Sequence, residues 1–331
     1  MMKLSVMKNL VQTIDESWKS PVADKIADCW GADKGSTRYI RGSANFLFVF
    51  QREDERFILR FNEDSERKVE QIKAELFLLQ LLKDKGLAVP EPVQSMNGQL
   101  VESVETDLGL YHASVFTIIK GTHPEFEALT DAEFTKWGET LGQLHQTLKE
   151  CPETSDLNRP SWKDQLTFIR ENLSPSETAA WLELDDLSQW AESLPVTNET
   201  YGLIHFDFEL DNLLWNEDQV GIIDFDDSVY HWFVADIAFA LRDMFENKLD
   251  LEHASFLSFM EGYRRMTDVD DKLIQELPQF TRMHKLYTFA RLLRAVDLDE
   301  HQEHPDWLNG LIQKLQAKIN AYRQGFVRVT N

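Results

Sequence analysis

One apolar segment of the chain, residues 203–215 (LIHFDFELDNLLW), carries five polar or ionisable side chains between two hydrophobic ends. These side chains are His205, Asp207, Glu209, Asp211 and Asn212. Burying an unpaired charge costs several kcal/mol, so groups in such a segment need protein partners, water or a metal ion. Which of these the segment uses depends on the sequence around it.

A second segment of the same kind follows shortly afterwards. Residues 219–228 (QVGIIDFDDS) indicate a short apolar strand that ends in carboxylates, the first of them Asp224. Because both acidic clusters adjoin strand-like runs, we predict that both lie at strand ends facing one cleft. An Asp, Asn and Asp set of this kind suits phosphoryl transfer. One carboxylate orients the attacking hydroxyl, while an amide oxygen and a second carboxylate hold Mg²⁺ against the phosphates.

Length, charge and cysteine content exclude several classes of protein. A chain of 331 residues is long enough for two domains, and its net charge of −23 argues against a nucleic-acid partner. No run approaches the ~18 apolar residues of a membrane span, and the first residues turn acidic too soon for a secretory signal peptide. Cys29 and Cys151 are too few for a disulfide framework. We expect a cytoplasmic protein that binds neither nucleic acid nor a membrane; its oligomeric state stays open.

The acidic residues are concentrated in one part of the chain. Residues 201–250 contain twelve Asp or Glu and only two basic residues, Arg242 and Lys248. This distribution predicts bound divalent cations, a cationic substrate, or both. A role in solubility alone remains the alternative.

The order of the patterns predicts an α+β chain with a small lobe (1–120) and a larger helical lobe (121–331). An N-terminal helical segment (5–29) precedes a hairpin of two aromatic-rich strands within 36–62 and the clearest helix, 64–85. Residues 110–121 indicate a buried strand that leads into a connector near 117–121. Further helices are predicted at 129–149, 162–173, 176–193, 233–248, 251–266, 270–297 and 305–324.

The motif HxDxxxxN at 205–212, followed by a short strand and DFxD, resembles the kinase-like phosphotransferases. These include aminoglycoside phosphotransferases, choline kinases, homoserine kinases of the second type and hydroxylysine kinases. The later ADIAFALRD and the earlier strand–helix lobe extend the resemblance over nearly the whole chain. It implies a bilobal protein-kinase-like fold, with a small antiparallel-sheet N-lobe containing one main helix, and the use of ATP and Mg²⁺.

The resemblance also implies roles for particular residues. Asp207 is the expected catalytic base, and Asn212 and Asp224 are the expected Mg²⁺ ligands. Arg60 takes the place of a strand lysine, contacting the phosphates and pairing with Glu75. The remaining nucleotide contacts are expected from a loop with Gly42, Ser43 and Asn45, and from a segment with Phe116, Ile118 and Ile119.

For other residues of these motifs, we predict a structural role or leave the role open. His205 is expected to brace the loop by hydrogen bonds, and Asp236 to tie the loop from below. His145 is interpreted as a packing residue. Phe206 departs from the family pattern, because many relatives have Gly there. Two interpretations stay open for Asp226, Asp227 and the aromatic run 230–233. In the first, one of the acids assists Mg²⁺ or binds a substrate amine, which the aromatic faces help to hold; in the second, the acids are solvated and the aromatic residues pack.

The leading functional hypothesis is an ATP-dependent kinase for the hydroxyl of a small, amine-bearing metabolite, either an amino alcohol or a hydroxy amino acid. The acidic surroundings favour an acceptor with an ammonium group. Phosphorylation of aminoglycosides is the alternative within the enzyme class, and a non-catalytic nucleotide-binding scaffold is the alternative outside it. Protein kinase activity is disfavoured, since no activation segment is recognisable between DFDD and ADIA.

Overall fold

The computed structural model of the protein describes residues 1–154, 157–217, 219–245, 250–298 and 303–329. Strands are concentrated in the first part of the chain and helices in the second, which confirms the predicted α+β class. In the part of the chain that the structure describes, the helices lack the length and apolar character needed to cross a bilayer. The lobe boundary after residue 120 stays a prediction.

An antiparallel sheet forms the centre of the N-terminal part. Its order is β1-β2-β3-β6-β4, and β5 pairs with β6. Alternate residues of β2 (Phe46, Phe48 and Phe50) are buried, because successive side chains of a strand point to opposite faces. The strands are β1 (Arg38–Gly42), β2 (Phe46–Arg52), β3 (Glu55–Glu63), β4 (Pro92–Val93), β5 (Glu102–Thr106) and β6 (Gly109–Thr117).

Three helices accompany this sheet: α1 (Leu4–Val11), α2 (Pro21–Ala27) and α3 (Val69–Asp84). The α3 helix is the predicted main helix, with Ile72, Leu76 and Leu79 buried. It also buries Glu75, which lies opposite Arg60 of β3. The negative charge of Glu75 on α3 thus lies next to the positive charge of Arg60 on β3 in the interior of this part of the protein.

Helices dominate the remainder of the chain. In α4, Thr130 and Glu133 form a reciprocal capping box, which explains why this helix begins at Asp131, two residues after the predicted start. The helices are α4 (Asp131–Lys149), α5 (Trp162–Asn172), α6 (Thr178–Ser193), α7 (Phe233–Ala240), α8 (Ala254–Met266), α9 (Asp271–Ile274), α10 (Leu277–Ala295) and α11 (Asp306–Val329).

Two short antiparallel strand pairs hold the acidic segments. β7 (Tyr201–Ile204) pairs with β10 (Val229–Trp232), and β8 (Leu213–Trp215) pairs with β9 (Val220–Ile222). The first acidic segment connects β7 to β8, and the second connects β9 to β10. The end of β7 pairs with the start of β10, and the start of β8 pairs with the end of β9. Both connecting loops therefore run between the same ends of these two strand pairs.

The structure corrects several predicted elements. The segment 5–29 is two helices, and 270–297 is divided into α9 and α10, with a proline in the first turn of α10. The helix predicted at 233–248 ends at Ala240 and is followed by a 3₁₀ turn, Arg242–Phe245; its last residues lie outside the described ranges. The strand predicted at 110–121 ends at Thr117. Strands β1, β4, β5 and β10 were not predicted.

Candidate active site

Asp236 anchors the first acidic loop from beneath. Its buried carboxylate accepts hydrogen bonds from the backbone N–H groups of His205 and Phe206, both at 2.8 Å. It also contacts Nε2 of His145 at 3.1 Å, and Nδ1 of His145 contacts the hydroxyl of Tyr263 at 2.8 Å. The interpretation of His145 as a packing residue was therefore incomplete, because this histidine belongs to the polar support of the loop.

The backbone conformation of Phe206 is one that favours glycine at this position. Its φ of +75° lies in the left-handed region, which glycine enters at little cost and other residues rarely adopt. The ring contacts Phe239, His284 and Tyr287, and only 3% of the residue is exposed. Packing of the ring in the helical part offsets the strain of the backbone.

His205 connects the two acidic loops, as predicted for a bracing residue. Its Nε2 lies 3.0 Å from the carbonyl oxygen of Ile223, the residue before Asp224. Burial lowers the pKa of His205, with Asp236 acting in the opposite direction. A neutral imidazole can donate from Nε2 to this carbonyl while its Nδ1 accepts from the backbone N–H of Asp207 at 3.3 Å.

Asp207 is held by two donors. Its Oδ2 accepts from Nδ2 of Asn212 at 3.1 Å, and its Oδ1 accepts from Nη1 of Arg242 at 3.0 Å. The second guanidinium nitrogen of Arg242 donates to Glu209. The predicted base and a predicted metal ligand are thus in direct contact, and Arg242 is a site residue that the sequence interpretation missed.

Asp224 begins the second acidic loop in a left-handed conformation, with φ at +65°. Desolvation, followed by repulsion from Asp226, raises its pKa to about 7, against the attraction of Arg60. Nη2 of Arg41 lies 3.7 Å from Oδ2 of Asp224. Asp224 is therefore a carboxylate whose negative charge the surrounding protein compensates only in part.

Asp226 and Asp227 are not solvated loop acids, which corrects one of the two open interpretations. Arg67 donates to Asp226 at 2.6 Å, and Arg291 donates to Asp227 at 2.7 Å. Burial alone would raise the pKa of Asp227, but Arg291 and Arg67 hold it well below its usual range. Asn45 also donates to Asp226 at 3.2 Å.

The aromatic run 230–233 supports the packing interpretation. His231, Trp232 and Phe233 are buried, and the indole of Trp232 donates to the carbonyl of Pro195 at 2.9 Å. The hydroxyl of Tyr230 donates to the carbonyl of Thr154 and accepts from the backbone N–H of Leu157 at 2.9 Å. These contacts direct the run into the helical part of the protein.

A pocket of about 300 Å³ lies between the sheet and the acidic loops. Arg60 and Glu75 meet in its wall through two hydrogen bonds of 2.9 and 2.6 Å, and the Arg60 guanidinium lies 4.8 Å from the ring centre of Phe116. Among the described residues, the lining includes Ser43 and Asn45, whereas Gly42 ends β1 just outside it. The lining also includes Phe116, Ile118, Ile119, Leu79 and Asp224.

A larger cleft of about 770 Å³ adjoins this pocket, and Arg41, Ser43 and Asp224 line both. Asp207, Asn212 and Asp224 all lie in the wall of the larger cleft. The predicted convergence of the two loops on one cleft is therefore present in the structure. Besides Arg242, the wall contains basic residues from outside 201–250, namely Lys285, Arg291 and Lys318.

Within the described ranges, His, Cys, Asp and Glu side chains do not form groups of three or more that could hold a metal ion by themselves. A cation at Asn212 and Asp224 would therefore need ligands from a bound molecule or from water. Mg²⁺ commonly has such coordination at phosphate sites.

The model of the phosphotransferase enzyme family (APH) matches residues 37–270, more than half of the sequence. The chain belongs to this family. Amicoumacin kinase from Bacillus subtilis (strain 168) is 22% identical over 324 residues, which are 95% of this chain and 96% of that protein.

Solved structures share the fold over nearly the full length. Amicoumacin kinase hAmiN in complex with AMP-PNP, Ca²⁺ and Ami has a TM-score of 0.76 at 23% identity, covering 94% of this chain and 95% of that one. The microcompartment-associated aminopropanol kinase has a TM-score of 0.70 at 22% identity, with coverages of 92% and 96%. Family membership and these likenesses confirm the predicted phosphotransferase and its kinase-like fold.

Proposed function

We propose that this phosphotransferase moves the γ-phosphate of ATP, with Mg²⁺, to a hydroxyl of a small, amine-bearing metabolite, either an amino alcohol or a hydroxy amino acid. One observation carries the proposal. Asp207, Asn212 and Asp224 come from two loops, yet they line one cleft that adjoins the pocket of Arg60 and Glu75.

The smaller pocket suits a nucleotide. Leu47, Ile58, Leu79 and Ile119 offer apolar surface for a flat base, and Arg60 offers a fixed positive charge for phosphate. The related hAmiN structure holds AMP-PNP and Ca²⁺. We extend nucleotide and divalent-cation use to this chain on that likeness and on the pocket.

The residues present fit a divalent cation. The raised pKa of Asp224 reflects poorly compensated negative charge, and Oδ1 of buried Asp226 has no hydrogen-bond partner among the described residues. Because Nδ2 of Asn212 faces Asp207, its Oδ1 is the atom left for a cation. Mg²⁺ bound by Asn212 and Asp224 would neutralise charge that develops on the transferred phosphoryl group.

Asp207 serves as the base in this proposal. A carboxylate has about four lone-pair positions, so contacts with Asn212 and Arg242 leave room for an acceptor hydroxyl. Asp207 orients that hydroxyl and takes its proton as the oxygen bonds to the γ-phosphorus, whose bond to the bridging oxygen of ADP breaks so that ADP leaves. Positioning and electrostatic stabilisation account for most of the catalysis in such sites.

The charge of the cleft favours a small acceptor over an aminoglycoside. Asp211 offers a carboxylate to an amine, but Arg242, Lys285 and Lys318 lie in the same wall. A polycation would meet these basic groups wherever it filled the cleft. A metabolite with one amine can avoid them.

The test measures ADP release with amino alcohols, hydroxy amino acids and aminoglycosides, with and without Mg²⁺. We expect Mg²⁺-dependent turnover with a member of the first two groups and loss of turnover in Asp224→Asn. The matched control is Asp185→Asn, an exposed acid on α6. ATP binding without consumption across the panel would instead favour a non-catalytic scaffold.

A further inference from the structure

Arg242 joins the two acids of the first loop that face the larger cleft. Its Nη1 donates to Oδ1 of Asp207 at 3.0 Å, and its Nη2 donates to Oε2 of Glu209. The side chains of Arg242 and Glu209 are each 25% exposed, and that of Asp207 is 34% exposed. The bridge therefore stands on the wall of the cleft, where an acceptor would meet it.

The bridge fixes the orientation of Asp207. Arg242 holds one carboxylate oxygen, and Asn212 holds the other at 3.1 Å. The two donors belong to different elements, the turn after α7 and the loop before β8, so rotation of the carboxylate would break at least one of these bonds. Asp207 is thereby oriented before an acceptor arrives.

The same guanidinium changes what Glu209 can bind. Glu209 lies two residues from Asp207, so it is the acid that a positive group beside the reacting hydroxyl would be expected to reach. Arg242 already supplies a permanent positive charge there. An acceptor ammonium would have to compete with this hydrogen-bonded guanidinium for the carboxylate.

We propose that Arg242 is a positioning and specificity-determining residue of the acceptor site. It orients Asp207 and, by neutralising Glu209, removes the advantage of an acceptor with a positive charge next to its hydroxyl. This inference rests on the proposed function and narrows its substrate class. The preferred acceptor carries its amine several bonds away from the hydroxyl that is phosphorylated.

The experiment compares kcat and KM for two matched pairs of acceptors. Ethanolamine and ethylene glycol differ by an amine next to the hydroxyl, and aminopentanol and pentanediol differ by a distant amine. The variants are Arg242→Gln, Arg242→Lys and the control Arg282→Gln. Arg282 is also 25% exposed and also bridges two carboxylates, Glu183 and Asp186.

In the unmodified protein, we expect kcat/KM for ethanolamine and ethylene glycol to agree within about threefold, the range of a weak surface charge interaction. Arg242→Gln should raise the ethanolamine preference about tenfold, as expected for uncovering a charged partner. It should also lower kcat for pentanediol while KM for ATP stays constant. Arg242→Lys should retain most of the kcat of the unmodified protein. Arg282→Gln should change the free energy of unfolding without changing the preference for the amine in either pair of acceptors.

Two outcomes overturn the inference while leaving the proposed function intact. In one, Arg242→Gln turns over acceptors with an unchanged ethanolamine preference and unchanged kcat. In the other, Arg282→Gln shifts the preference equally, so that the effect is a general loss of stability. The proposed function and this inference are both overturned if the unmodified protein releases no ADP in response to any acceptor of these pairs or of the broader panel.

Discussion

The guanidinium of Arg60 and the carboxylate of Glu75 form a buried fork, with hydrogen bonds of 2.9 and 2.6 Å between a strand and a helix. Glu75 is 1% exposed and Arg60 is 7% exposed. Burial alone would lower the pKa of Arg60, but Glu75 and the nearby Asp226 raise it above its ordinary value. Each charge therefore depends on the other to remain inside the protein.

The first prediction concerns Glu75→Ala. Removing the carboxylate leaves a buried guanidinium without its main partner, which should lower the free energy of unfolding by about 3–5 kcal/mol. Arg60 should also lose its fixed position in the proposed nucleotide pocket, so KM for ATP should rise more than kcat falls. Chemical denaturation and steady-state kinetics measure the two effects.

The exposed pair of Lys83 and Glu91 supplies the control. Glu91→Ala should cost less than about 1 kcal/mol, because exposed ion pairs contribute little. An equal loss of stability in the two variants would contradict the special role of the buried fork.

The second prediction concerns Asp207→Asn. The amide keeps the shape of the side chain but cannot accept the hydroxyl proton, so we expect kcat to fall by about 10²-fold or more. Mg²⁺-dependent ATP binding, measured by calorimetry, should change little, because Asp207 is not among the residues that line the proposed nucleotide pocket. Full activity in this variant, with Asp185→Asn as reference, would remove Asp207 from the role of base.

Local patterns were sufficient for the elements that carry the site. The alternating burial of Phe46, Phe48 and Phe50 and the 3.6-residue spacing on α3 are properties of neighbouring residues, so they can be recognised in sequence. The two acidic loops are equally local, because each begins where a short apolar strand ends. The partly exposed strands β1 and β5 lack a clear alternation of apolar residues, which explains why they were missed.

Three further arginines of the site, unlike Arg60, could not be predicted in this way. Arg242, Arg291 and Arg67 lie 35, 64 and 159 positions away from the aspartates that they contact. No periodic pattern links such positions, and their pairing depends on how helices and loops pack. The excess of acidic residues at 201–250 therefore overstated the negative charge that a substrate would meet in the cleft.

The third prediction tests the contact between α4 and α8. A Cβ at Gly138 would lie 1.9 Å from the carbonyl oxygen of Phe259, and a Cβ at Gly262 would lie 1.9 Å from that of Thr135. Neither backbone atom can move without separating the helices. Gly138→Ala should therefore lower the free energy of unfolding by about 3 kcal/mol, measured by denaturant titration.

Gly310→Ala is the matched control for this helix contact. Gly310 lies in α11 with open space around its Cβ position. Alanine should be neutral there or raise stability by up to about 1 kcal/mol, because it favours helix more than glycine does. Comparable destabilisation by the two substitutions would show that close approach is not the cause.

The last prediction concerns acid sensitivity and His231. The side chain is fully buried on β10; its Nδ1 accepts from the backbone N–H of Trp232 at 3.0 Å, and its Nε2 has no partner among the described residues. Burial lowers its pKa to about 3, with Asp236 acting weakly in the opposite direction. The folded protein therefore keeps this imidazole neutral under conditions in which an unfolded chain would protonate it.

Between the ordinary histidine pKa of about 6.5 and the folded value of about 3, the unfolded chain binds one more proton at His231. Stability should thus fall as pH decreases through this window, by up to about 1.4 kcal/mol per pH unit from this group, and show no such effect above it. His231→Asn retains an acceptor for the Trp232 N–H but does not protonate, so its unfolding free energy should fall less steeply with acid. Denaturant titrations at several pH values measure the slope, and the difference between the two proteins at neutral pH gives the packing cost alone. Parallel slopes would mean that His231 is not responsible for the acid sensitivity.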